Sequence, residues 1–257
     1  MIVSIFTSFL YGIDIDPRVA LISFLLTFSV YNLNKATDKA EDSINRPEVA
    51  SRSTNYYLLP ALFSLSICLF LSLHVGFRAL MVIATTFIIA FVYSIKITDT
   101  IPRLKEIVGV KSLMVALTWG LTGSLLPACI HPVSSIKIIF AFTYIFLHLL
   151  VNTILCDVRD MDGDSASGVE TLPIALGLTD TRLLLLAVNS LLVPWFFLCI
   201  INGIFTSYLP ALFYSIVYGY ILIFVFSRRG HDKLFVDLAV DGEWIPIFVY
   251  MKLLMIF

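Results

Sequence analysis

The chain has 257 residues, of which 59% are hydrophobic and only 14% charged, and its mean hydropathy is +0.96. That balance excludes an ordinary soluble domain and points to an integral membrane protein, an all-α polytopic bundle. The formal net charge of −1 gives no support to a nucleic-acid partner.

Apolar runs fall at about residues 2–13, 17–33, 56–77, 79–95, 112–130, 135–156, 183–205, 207–226 and 243–257, which predicts about nine transmembrane helices. Most approach the roughly 20 residues that cross a hydrocarbon core of about 30 Å. The first is short, since some twelve residues of helix reach only about 18 Å. It is expected either to be tilted into place by its neighbours or to start inside a longer ancestral helix. No Lys or Arg precedes it and no small-residue cleavage site follows, so it does not read as a secretory signal. With no low-complexity tract and no soluble segment, residues 1–257 are expected to form a single membrane-embedded domain.

The loops after the even-numbered runs collect the basic residues: Lys35, Lys39, Arg46 and Arg52; Lys96, Arg103, Lys105 and Lys111; Arg159 and Arg182; Arg228, Arg229 and Lys233. The opposite loops hold only Arg18, Arg78 and Lys137. By the positive-inside rule, the polar loops at 35–55, 96–111, 157–182 and 227–242 are expected in the cytoplasm.

Two of those loops carry acids in helical register. In "NKATDKAED", Asn34, Asp38 and Asp42 recur every four residues, about 40° apart around a helix, and Glu41 adds a further acid. In "DVRDMDGD", Asp157, Asp160 and Asp164 share a face if the sixth helix continues. Either cluster alone reads as a solvated helix end. Two at one membrane surface imply cations, because grouped carboxylates beside a low-dielectric core repel one another. Hard oxygen donors suit Mg²⁺, which commonly shares its shell with water and substrate phosphate. A calcium loop starting at Asp160 fails, with Ser165 where Gly is needed and Thr171 where Glu is needed. Phosphate would call for nearby bases, and Arg46, Arg103, Lys105 and Lys111 are placed for it, although the positive-inside bias alone would put them there. No Walker loop, HExxH, GxSxG or dinucleotide fingerprint occurs.

Cys68, Cys129, Cys156 and Cys199 lie in apolar runs without ligand spacing and are expected to pack. His74, His131 and His231 read as interfacial or loop residues. His148, Asn152 and Cys156 make a row down the sixth run that either lines a pocket or bonds to a neighbouring helix.

The segment "NKATDKAEDSINRP" resembles the first aspartate-rich motif of the UbiA superfamily of intramembrane prenyltransferases. "DVRDMDGDSASGVETLPIALG" is similar to the second, and "RLKEIVGVKSLMVALTWG" resembles the central segment, with Lys105 at its basic position. The chain departs from the family pattern at Lys35, where Asp is common, and at Val169-Glu170, where a base is common. The resemblance implies nine helices, cytoplasmic motifs and two Mg²⁺ ions that bind the diphosphate of an isoprenyl donor. It implies Asn34, Asp38, Asp42, Asp157, Asp160 and Asp164 as metal ligands and Arg46 and Lys105, with Arg103 and Lys111, as diphosphate partners. An allylic cation would need a dry aromatic pocket, for which Tyr93, Trp119, Phe91 and Tyr144 are candidates, and His148 with Asn152 offers a place to orient a small aromatic or lipid acceptor. A UbiA-type terpene cyclase would use the same ionisation. A cation or polyprenyl-phosphate transporter is the third class, against which stands the lack of an inverted repeat.

Overall fold

The computed structural model describes residues 1–94, 103–228 and 233–254; Lys96, Arg229 and His231 lie outside these. The described residues form helices and short 3₁₀ turns and no strand. The helices are α1 (Ile2–Tyr11), α2 (Pro17–Thr37), α3 (Lys39–Asn45), α4 (Pro47–Ala50), α5 (Thr54–Val75), α6 (Phe77–Ser94), α7 (Val110–Leu125), α8 (Ser135–Ala166), α9 (Leu172–Ser190), α10 (Leu192–Ile201), α11 (Leu209–Phe226), α12 (Lys233–Val240) and α13 (Trp244–Leu254).

Seven segments are long and apolar enough to cross a membrane: α2, α5, α6, Val110–Cys129, α8, Leu172–Ile201 and Thr206–Phe226. They account for the second to eighth apolar runs. The first run gives the 10-residue α1 and the ninth gives the 11-residue α13, so the nine runs become seven spans and two short helices. α1 stops at Gly12, whose φ of 69° closes the helix in the left-handed region that glycine adopts without strain. α2 starts where Asp16 accepts from the Arg18 amide and Pro17 pre-sets the first turn.

Hydropathy marks contact with lipid, and it therefore passes over helices that are polar. α3 and α4 occupy the expected loop 35–55, and α12 occupies 227–242. The expected loop at 157–182 shrinks to 167–171, because α8 runs on to Ala166 and α9 begins at Leu172. At 1.5 Å per residue the 32 residues of α8 extend about 48 Å, well beyond a hydrocarbon core of about 30 Å. Its final turns therefore stand clear of the core, and they carry Asp157, Asp160 and Asp164.

Three apolar clusters hold the bundle together. One joins α1, α8, α10, α11 and α13 through Phe6, Tyr144, Trp195, Leu212 and Trp244. A second joins α2, α5, α6 and α7 through Ile22, Leu26, Cys68 and Ile83. The third joins α8, α9, α11 and α12 through Leu155, Leu185, Ile223 and Val240. Outward-facing Phe63, Phe70, Phe77 and Ile201 remain exposed, as a lipid-contacting surface requires. Small residues permit the closest approach between helices: a Cβ on Gly120 would stand 3.2 Å from the Phe142 ring, between α7 and α8. All four cysteines are free and packed within the bundle or its edges.

Candidate active site

The two acidic segments meet at one end of the bundle. Asp38 does not lie inside a continuous helix: at φ −99° and ψ 28° it ends α2 and starts α3. The main-chain ladder survives the break, with Asp38 N donating to Asn34 O at 2.8 Å and Asp42 N to Asp38 O at 2.9 Å. Asn34, Asp38 and Asp42 thus stay on one side of the chain. From α8, Asp157, Asp160 and Asp164 face them, and all six line one cavity of about 290 Å³.

Bases interleave with the acids. Lys105 Nζ lies 2.5 Å from Asp38 Oδ1 and 2.8 Å from Glu41 Oε1. Lys111 Nζ bridges Asp157 at 3.0 Å and Asp164 at 2.6 Å, and Ser112 donates to the other oxygen of Asp157. Arg159 holds Asp160 at 2.5 Å and reaches Asp237 on α12. Arg46 also lines the cavity, without an ion pair among the described residues. Arg103 stands outside the cavity wall, bound to Glu106 at 2.6 Å and Glu41 at 3.0 Å, so it reinforces the first acidic segment from behind.

Negative charge remains in excess. Asp38, Glu41, Asp42, Asp157, Asp160, Asp164 and Asp241 line the cavity against Lys35, Arg46, Lys105, Lys111 and Arg159. Glu41 Oε2 is buried and has no partner among the described residues. Burial and the adjacent Asp38 carboxylate push the Asp42 acid up to about 6. This donor set fits a divalent cation in charge and hardness. No three carboxylates among the described residues converge on one point, so any ion held there would complete its shell with water and phosphate oxygens, the habit of Mg²⁺.

Toward the bundle interior the wall becomes apolar, through Val30, Ala90, Val115 and Leu149. Tyr31 and Trp119 stack there with centroids 6.2 Å apart, and Tyr93 contributes to the same wall. Of the four residues suggested as substrate pocket, Trp119, Tyr93 and Asn152 line this cavity. His148 does not line it and is buried against Glu243 and Trp244. Tyr144 sits in the first apolar cluster, bonded to Ser215 at 2.5 Å, and Phe91 faces outward. Sequence reasoning passed over Arg159, Asp237, Asp241 and Glu243. The available signal was a group of acids, "VDLAVDGEW", directly before the last apolar run. α12 is tied to both acidic segments, because Lys233 Nζ donates to Asn45 O at 3.0 Å while Arg159 reaches Asp237.

Comparison with known proteins agrees with this architecture. Over 175 residues the chain is 27% identical to the digeranylgeranylglyceryl phosphate synthase of Haloquadratum walsbyi, covering 63% of this chain and 58% of that protein. A UbiA homologue from Archaeoglobus fulgidus, solved with GPP and Mg²⁺, superposes with a TM-score of 0.72 over 100% of this chain and 95% of that one, at 15% identity. The same homologue with DMAPP and Mg²⁺ gives 0.70 over 98% and 93%, also at 15% identity. At that identity the superpositions speak for the fold alone. The UbiA prenyltransferase family matches residues 3–239, nearly the whole sequence, and this chain belongs to that family.

Proposed function

We propose that this chain is a Mg²⁺-dependent intramembrane prenyltransferase that moves an isoprenyl group from its diphosphate to an aromatic or lipid acceptor. The observation that carries the reading is the composition of this cavity. Acids and bases gather at one end, and stacked aromatics and aliphatics line the other, which is the polarity of an isoprenyl diphosphate. Asn34, Asp38 and Asp42 on one side and Asp157, Asp160 and Asp164 on the other would hold two ions. Bound Mg²⁺ would supply charge neutralisation on the diphosphate as the allylic C–O bond breaks. Arg46, Lys105 and Lys111 line the same cavity and would supply positive charge to the phosphate oxygens, where charge develops on the leaving group. Pyrophosphate leaves with the bonding electron pair, the acceptor forms the new bond to carbon, and its proton passes to solvent. Tyr31, Tyr93 and Trp119 present π faces that exclude water from the cationic carbon. The basic loops support a cytoplasmic location for this end of the bundle. A named relative that makes a digeranylgeranylglyceryl phosphate supports a glyceryl phosphate lipid as the first acceptor to try.

The test incubates purified protein with isoprenyl diphosphates of several lengths, with and without Mg²⁺ and acceptors, and follows pyrophosphate and lipid products by mass spectrometry. A transferase releases pyrophosphate only with metal, and faster with the correct acceptor. A cyclised product from donor alone would replace the reading with a terpene cyclase. Intact donor under every condition, from folded protein, would end both enzyme readings and favour transport.

A further inference from the structure

Glu243, in the turn between α12 and α13, is almost completely buried. Its Oε1 accepts from His148 Nε2 at 2.7 Å and from Asn152 Nδ2, both on α8. Its Oε2 is also buried and has no partner among the described residues. A carboxylate held this way inside a bundle is costly, and packing or helix register alone would be served at less cost by an apolar side chain. What a carboxylate does that an apolar group does not is fix the polarity of its neighbour. It only accepts hydrogen bonds, so it must meet Asn152 on the nitrogen side of the amide. The same nitrogen also approaches Val240 O at 3.5 Å. Asn152 lines the cavity, and its Oδ1 has no partner among the described residues.

We infer that Glu243 is a positioning residue: through Asn152 it turns a hydrogen-bond acceptor toward the cavity and so selects a prenyl acceptor that carries a free alcohol. This rests on the prenyl-transfer reading and narrows its acceptor to one class. The Asn152 oxygen takes the hydroxyl hydrogen and leaves the oxygen lone pairs free to meet the allylic carbon.

The test measures binding rather than turnover. The 257-residue chain in detergent, without donor, is titrated with geranylgeranylglyceryl phosphate and with its deoxy analogue, in which hydrogen replaces the free hydroxyl. The parent should bind the alcohol about ten-fold tighter than the deoxy form, the size of one buried hydrogen bond. In Glu243→Gln the side chain keeps one oxygen to accept from the Asn152 amide, so the discrimination should persist. In Glu243→Leu nothing fixes the polarity of that amide, and the discrimination should vanish. A purely structural role would weaken both ligands equally in Glu243→Leu and lower its melting temperature. Equal binding of the two ligands by the parent, or undiminished discrimination in folded Glu243→Leu, overturns the inference. A failed transfer assay with discrimination intact would instead count against the prenyl-transfer reading alone.

Discussion

Asn45, at the end of the first acidic segment, donates from Nδ2 to the main-chain oxygen of Asp160 in the second, 3.2 Å away. This hydrogen bond spans 115 residues of sequence and ties α3 directly to α8. Gly163, three residues on from Asp160, makes room for it: a Cβ there would collide with the Asn45 amide. The glycine of "DMDGD" is thus required for close approach, at a site where the two motifs are held at working distance.

Gly163→Ala is therefore expected to push Asn45 aside and loosen both the Asp160 contact and the Lys233 bonds to Asn45. Overpacking of this kind costs about 1–3 kcal/mol. Thermal melting in detergent should show the loss, and prenyl transfer should fall further than stability alone explains, because the two motifs separate. Parent-like melting and turnover would mean that α3 yields freely.

Asp42 separates stability from function. Its acid is pushed up to about 6 by burial and by the charge of Asp38, from a usual value of 3.8, so at pH 7 the folded protein holds an unfavourable charge there. Asp42→Asn should raise the melting temperature of metal-free protein while cutting turnover about a hundred-fold or more through loss of a proposed metal ligand. The unfolded chain keeps its acid near 3.8, so the stabilisation should be full above about 6 and should shrink as pH falls toward 3.8. A gain independent of pH would trace it to something other than this carboxylate.

Much of the site could be read from the sequence, for a reason specific to helices. Carboxylates at three- and four-residue spacing share a face whether or not the surroundings are known, so Asp157, Asp160 and Asp164 fall as the continued α8 requires. The same rule gave Asn34, Asp38 and Asp42, and the ladder of hydrogen bonds preserves their side even where Asp38 interrupts the helix. What the sequence hid were partners brought together from distant parts of the chain. Arg159 meets Asp237 across 78 residues and His148 meets Glu243 across 95, and no local period records either. His148 and Tyr144 illustrate the converse: a polar or aromatic residue on a membrane helix has several faces to choose from, and these two chose the core.

The proposed sidedness rests on the basic loops, which flank the end that carries the acidic segments. In a chain whose native cysteines are replaced, single cysteines at Ser51 and Ser165 should react with a membrane-impermeant reagent from the cytoplasmic side, and one at Ser134, at the opposite end of α8, from the other side. Labelling of the first two from opposite sides would rule out a shared site.

Lys111 gives the most direct test of whether metal belongs between these helices. Its ammonium stands between Asp157 and Asp164, at 3.0 and 2.6 Å, and is the cation those two carboxylates share. A divalent ion bound nearby would take over that neutralisation and release the lysine toward phosphate. Lys111→Met should accordingly lower the melting temperature of metal-free protein, because removing one partner of a largely buried ion pair leaves like charges facing each other, at a cost of about 3–5 kcal/mol. Added Mg²⁺ should then raise the melting temperature of the variant more than that of the parent, since in the variant it supplies charge the parent already has. Transfer should stay low even with metal, because the proposed phosphate partner is missing. If Mg²⁺ stabilises the parent and Lys111→Met equally, the ion sits elsewhere and Asp157 and Asp164 form only a structural pair with the lysine.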